Sequence, residues 1–96
     1  MPRPRKCRKV CCLPISKVFV PVGCGFHEDE AIVLTVDEYE TIRLIDHQKF
    51  TQEECGGYMK IARTTVQQIY NHAREKLSIA LVEGKPLKIE GGDYKL

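Results

Sequence analysis

Thr51 to Leu77, T-Q-E-E-C-G-G-Y-M-K-I-A-R-T-T-V-Q-Q-I-Y-N-H-A-R-E-K-L, decides the fold of this chain. Thr51 places a hydroxyl where it can accept from the free N–H groups of a helix start, and Glu54 three positions later completes a capping box, so a short helix is predicted over Gln52 to Met59. Glu53 and Glu54 also suit the positive end of the helix dipole. A break over Lys60 to Ala62 precedes a second, longer helix, in which Val66, Ile69, Tyr70, Ala73 and Leu77 recur at helical spacing and form a core face. At about 100° per residue, Thr64, Gln67, Gln68, Asn71 and Glu75 project from the other side.

That polar row has the chemistry to read a major groove. Gln and Asn bond adenine N6 and N7 bidentately, Thr bonds either edge or touches a thymine methyl, and Arg63 can reach a phosphate or a guanine. The bland reading is a helical hairpin whose polar face is only solvated. Spacing favours a helix-turn-helix: Gly56 is followed ten positions later by the β-branched Val66 and three later by Ile69, with polar residues at Arg63, Thr64, Gln67, Gln68 and Asn71 where such motifs touch bases.

With its T-Q-E-E start and R-T-T-V-Q-Q-I-Y-N-H-A-R-E-K-L helix, the stretch resembles region 4 of bacterial sigma factors. The whole chain resembles the prokaryotic family called domain of unknown function 134, through M-P-R-P-R-K, V-C-C-L-P, L-T-V-D-E-Y-E-T-I-R-L-I-D and A-L-V-E-G-K-P-L-K-I-E-G-G-D-Y. Members of that family are described as predicted DNA-binding proteins, and the resemblance implies the same here. Three positions depart from the usual motif. Lys60 stands where Gly is usual in the turn, Ala62 replaces a Ser that would cap the second helix with about 1 kcal/mol, and Gly56 and Gly57 each cost the first helix roughly 0.8 to 1 kcal/mol relative to Ala.

The chain has 96 residues, one domain with a small core, and its 43% hydrophobic and 29% charged content is that of an ordinary soluble protein. The net charge of +2 conceals a segregation: the first 20 residues hold six bases (Arg3, Arg5, Lys6, Arg8, Lys9 and Lys17) and no acid. Pro2 and Pro4 keep the start extended, so residues 1–12 are expected to form a basic arm ahead of a single domain over 13–96. In that reading Arg3, Arg5, Lys6, Arg8 and Lys9 lie on phosphates or in a minor groove; the alternative is a solvated tail. Pro14, Lys17 and Pro21 interrupt any secretion signal, no stretch reaches the ~18 apolar residues of a membrane span, and a cytoplasmic protein is expected.

Cys7, Cys11, Cys12, Cys24 and Cys55 are an odd set that argues against a disulfide framework in a reducing compartment. Cys7 and Cys11, then Cys24 and His27, have spacings zinc accepts, with Cys12 spare. Only one half of the pattern looks like a usual zinc knuckle, which favours unligated thiols near the basic arm, and redox sensing is a third reading. Cys55 reads as a small core residue. No cofactor is required by any motif.

Lys17 to Val22 reads as a short strand restricted to an edge by Pro21, and Pro86 to Glu90 as a second strand able to pair with Val18 to Val20. Glu28, Asp29 and Glu30 form a solvated connection that would repel DNA from that side. Thr35 and Glu38 make another capping box, opening a support helix with Tyr39, Ile42 and Ile45 at intervals of three; Arg43 there suits an ion pair with a neighbouring acid. Phe50 is a staple residue ahead of Thr51. The long helix runs to about Val82, where Gly84 and Pro86 stop it, and its apolar final turns either pack on the same chain or form a dimer seam.

The expected fold is therefore mainly α, three or more helices with a helix-turn-helix at about 51–77 and a small two-stranded β element. The expected function is sequence-specific binding of double-stranded DNA in transcription regulation, with Thr64, Gln67, Gln68 and Asn71 on base edges and Arg63 and Arg74 on either bases or phosphates. Two alternatives remain open: an adaptor that binds protein such as RNA polymerase through the same fold, and a metal- or redox-responsive DNA-binding protein. An enzyme is not expected. His27, His47 and His72 are scattered, and no nucleophile with a base, phosphate loop or carboxylate pair stands out.

Overall fold

The computed structural model describes residues 8–23 and 26–96. Among these, three helices pack against short strands. Strand β1 is Arg8–Lys9, β2 Val18–Phe19 and β3 Ile32–Leu34, with a 3-10 turn at Glu28–Glu30 between the last two. Helix α1, Val36–Thr41, continues into a π-helical stretch, Ile42–His47, and is followed by α2, Gln52–Met59, and α3, Arg63–Glu83. Strands β4, Leu87–Ile89, and β5, Tyr94–Lys95, close the chain.

Both capping boxes form. The Glu38 amide donates to Thr35 Oγ1 (3.4 Å) while the Thr35 amide donates to Glu38 Oε1 (2.9 Å), and Thr51 with Glu54 repeats the exchange at 3.0 and 2.9 Å. Each satisfies two backbone or side-chain groups that a helix start otherwise leaves to water. These hydrogen bonds hold the Glu54 carboxyl below its usual range, with the Thr51 backbone the main cause. Helix α2 ends on Lys60 in the left-handed region (φ 63, ψ 41), and α3 starts after Ala62 with no side-chain cap, so these two of the three departures read from the sequence persist in the fold. At its far end α3 stops on Gly84, whose φ of 66 costs glycine little.

The β element is larger than the two strands expected. Strand β4 is central: it pairs antiparallel with β2 (Val18 opposite Lys88) and parallel with β3 (Val33 opposite Lys88). The first pairing was legible in the sequence. The second was not, because Ile32–Leu34 is a three-residue apolar run between an acidic turn and a helix cap, too short for a period to show. A parallel pair needs a long crossover, and here all three helices supply it. A further two-residue ladder joins β1 to β5 in parallel (Arg8 opposite Tyr94).

That ladder corrects part of the expected arm. Arg8 to Cys11 are docked, not free: Val10 is fully buried, its amide donates to the Lys95 carbonyl (2.9 Å), and the Cys11 amide donates to Glu40 Oε2 (2.9 Å). A basic stretch with prolines reads as solvated in sequence, yet Val10 carries enough apolar area to hold it down.

The core has two parts. Val10, Leu34, Val36, Ala73, Ala80, Leu87 and Ile89 are buried between α1, α3 and the sheet. Leu44, Cys55, Met59 and Val66 are buried where the end of the π-helical stretch, α2 and the start of α3 meet, with Phe50 and Tyr58 packed beside them. Cys55 is thus a core residue, and burial pushes its thiol up to about 11.

Gly56 sets the approach of α2 to α3. A Cβ there would lie 2.8 Å from the Ile61 carbonyl oxygen and 3.4 Å from Val66 Cγ2, whereas one on Gly57 would meet nothing within 4 Å. Two adjacent substitutions therefore take opposite signs. Gly57→Ala should raise unfolding free energy by about 0.5 to 1 kcal/mol through helix propensity, and Gly56→Ala should lower it despite the same gain. Urea denaturation of the two variants checks this; equal stabilisation by both would contradict the close approach.

Candidate functional site

Helix α3 turns its apolar stripe inward and leaves a polar row outside. Val66, Ile69, Tyr70, Ala73 and Ala80 are buried, while Arg63, Thr64, Gln67, Gln68, Asn71 and Arg74 are all exposed. Thr65 is half-buried. Over its first three turns the row is made of hydroxyl, amide and guanidinium groups without a carboxylate; the first acid of the helix is Glu75. Six residues named from the sequence thus share one helix and one exposed side.

Two of them are tied to the scaffold. Arg63 donates to Gln52 Oε1 (3.5 Å), a long contact that links the starts of α2 and α3 and leaves the rest of the guanidinium outward. Arg74 donates to the Tyr70 hydroxyl (3.1 Å) with its guanidinium 5.5 Å from that ring's centroid, and the hydroxyl in turn donates to Asp46 Oδ1 (2.7 Å). Burial first, and then Asp46, raises the Tyr70 phenol above its ordinary value. The chain Asp46, Tyr70, Arg74 anchors the middle of α3 to the end of the π-helical stretch.

The N-terminal bases divide. Arg3, Arg5 and Lys6 lie outside the described residues. Arg8 is engaged: its guanidinium meets Asp37 Oδ2 at 3.2 Å and Asp93 Oδ2 at 3.3 Å with the side chain only 17% exposed. Lys9 is exposed, its ammonium 5.3 Å from the Tyr58 ring centroid. Arg8 also borders a shallow concavity of about 670 Å³ with Gly56, Lys60, Ile61, Ala62 and Thr65. Arg8 thus lies beside the turn that leads into α3.

Glu40 was missed as a centre of organisation. Fully buried, it accepts from Arg43 Nε at 2.6 Å, from Arg43 NH2 at 3.1 Å and from the Cys11 amide at 2.9 Å. The pairing of Arg43 with a nearby acid was legible from the spacing of three; the burial, and the grip on β1, were not. The hydrogen bonds that Arg43 donates to Glu40 hold it firmly charged, pushing its pKa upward.

Of the residues spaced for zinc, Cys7 and Cys24 lie outside the described residues, and Cys11 and His27 are exposed. Among the described residues no group of three or more His, Cys, Asp or Glu side chains converges as a metal site would. Cys11 raises the thiol of the adjacent Cys12 above its ordinary value, chiefly by hydrogen bonding. The acidic turn is placed by Lys88, which bonds Glu28 from the central strand and so keeps that charge on the sheet. No helix among the described residues is long and apolar enough to cross a membrane.

The fold and its surface thus define a small three-helix protein over a short mixed sheet, with one polar helix face free. The chain belongs to the family described as protein of unknown function DUF134, which matches residues 1–96. Among its relatives, a UPF0251 protein of Desulfitobacterium hafniense strain Y51 is 59% identical over 96 residues, covering all of this chain and 77% of the relative. UPF0251 proteins of Thermoanaerobacter sp. strain X514 and of Halothermothrix orenii are 46% and 45% identical, again over the whole chain, and over 85% and 71% of their own lengths. No solved structure matches.

Glu40→Ala should cost about 3 kcal/mol, because it leaves a largely buried guanidinium without its partner and frees the Cys11 amide. Guanidinium denaturation measures it. A loss no larger than that of an exposed salt bridge, below about 1 kcal/mol, would show that Glu40 does not organise the junction.

Proposed function

We propose that the protein binds double-stranded DNA in a sequence-dependent way and acts in transcription regulation, with α2 and α3 serving as a helix-turn-helix and α3 lying in the major groove. The observation that carries this reading is the exposed row Arg63, Thr64, Gln67, Gln68 and Asn71, free of acids, on a helix whose opposite stripe is buried. Amides at two successive positions, with another three and four residues further on, can each bond a purine edge bidentately, a pattern a solvated surface helix has no need of. Gly56, tight against the turn, suits the crossing of two helices in such a motif, where the first spans the backbone and the second enters the groove.

The basic residues supply the part that does not depend on sequence. Lys60 is exposed in the turn before α3 and Lys9 is exposed beside Tyr58 of α2, and Arg3, Arg5 and Lys6 precede β1 in the sequence. Phosphate contacts from these groups would position α3 and release counterions, giving binding that falls steeply with salt. With Arg8 in a buried ion pair, the charge available for phosphates is that of its neighbours. Lys88 holds Glu28 of the acidic turn on the sheet and offsets part of its charge.

Titration of labelled duplexes that differ at single base pairs, at two salt concentrations, separates the two roles. Gln68→Ala should flatten the preference at one position by about 1 to 3 kcal/mol, whereas Arg5→Ala should weaken all duplexes alike and reduce the salt slope by about one. Identical effects from both variants would contradict the division. Absence of binding to any duplex would overturn the DNA reading and favour a surface for protein.

A further inference from the structure

Cys11 and Cys12 are consecutive, unbridged and both exposed just beyond β1. The fold pins the chain on either side of them. Val10 is fully buried before the pair and Pro14 is buried after it, and the Cys11 amide is held by Glu40 Oε2 at 2.9 Å. Neighbouring Cα atoms are about 3.8 Å apart, so the two sulfurs cannot separate far. They do lie together: a hydrogen bond with Cys11 is the main cause that raises the Cys12 thiol, and Cys11 raises the Tyr58 phenol on α2 by the same means. Lys9 and Arg43 flank that phenol, 5.3 and 6.0 Å from its ring centroid.

What such a pair can take follows from sulfur chemistry. Thiols and thiolates select soft centres. Two of them on adjacent residues have a short bite, so they cannot stand on opposite sides of an ion that prefers two ligands in line. They also fill only half of zinc's tetrahedron, and among the described residues no third His, Cys, Asp or Glu converges with them as a metal site would. Glu40, the carboxylate that meets Cys11, is already bound by Arg43 and by the Cys11 amide. A trivalent arsenical carrying one carbon substituent asks for what the pair offers, two sulfurs on the same side of a pyramidal centre.

We propose that Cys11 and Cys12 form a two-thiol site for trivalent arsenicals of the type R–As=O. Two As–S bonds form, the As=O bond is lost, both thiol protons leave with that oxygen as water, and arsenic stays trivalent. Once the first bond has formed, the second closes within a chain already pinned at Val10 and Pro14, which gives the pair its advantage over separate thiols. The site does not depend on how α3 is used.

Intact-mass measurement of the reduced, full chain treated with one equivalent of phenylarsine oxide, in excess glutathione, tests it. The wild type should carry one phenylarsine unit with loss of one water, and a small dithiol should strip it. Cys11→Ser and Cys12→Ser should each weaken retention about a hundredfold, the gain that an intramolecular second bond supplies. Cys7→Ser and Cys24→Ser should leave it unchanged, and circular dichroism should show the same helix in all four. A wild type that loses the arsenical to glutathione would overturn the proposal. Retention by Cys12→Ser equal to that of the wild type would overturn it too, because the second sulfur would then come from elsewhere.

Discussion

Everything outward on α3 depends on how closely α2 comes to it. At Gly56 the absence of a side chain lets the helix approach the Ile61 carbonyl to a distance no Cβ tolerates, and Val66 fills the space alongside. That contact fixes the angle between the two helices. Once it is fixed, burial of Val66, Ile69 and Tyr70 leaves Arg63, Thr64, Gln67, Gln68 and Asn71 no orientation but outward. Two features work against the junction: Lys60 adopts a left-handed conformation that suits glycine better, and Ala62 cannot cap the helix that follows. The packing of Met59, Cys55 and Leu44 against Val66 offsets them.

A second junction holds the first in place. Glu40 is bound by Arg43 from its own helix and by the backbone of Cys11, so one carboxylate couples the N-terminal strand to the helical layer. Arg8 adds two carboxylates from the other end of that strand, Asp37 and Asp93. The N-terminal strand is thereby a structural element. Arg8 and Lys60 border the turn before the polar row, and the apolar groove of Leu81 and Phe19 lies at the other end of α3.

What could be read from the sequence was what acts over a few residues. The span of α2, both capping boxes, the turn over Lys60 to Ala62 and the stop at Gly84 all rest on side-chain and backbone contacts within about one helical turn, and each was visible as a residue type at a fixed offset. The pairing of β2 with β4 was visible because both are bounded by proline or glycine. What escaped depends on distant partners. Arg8 meets Asp37 and Asp93 at separations of 29 and 85 residues, which no local pattern encodes. The parallel partner of β4 lies across three helices, and the π-helical stretch at Ile42–His47 interrupts a spacing of three that read as a regular helix. The polar row itself was legible in full, since a helix period and a buried stripe determine it together.

The central claim is that this row reads bases, and selection of bound duplexes from a random pool, with the purified intact chain at two salt concentrations, tests it most directly. The account predicts an enriched sequence that survives at the higher salt, because base contacts persist where phosphate contacts are screened. Binding without enrichment that vanishes at higher salt would contradict it, reducing α3 and the basic segment to a nonspecific electrostatic surface.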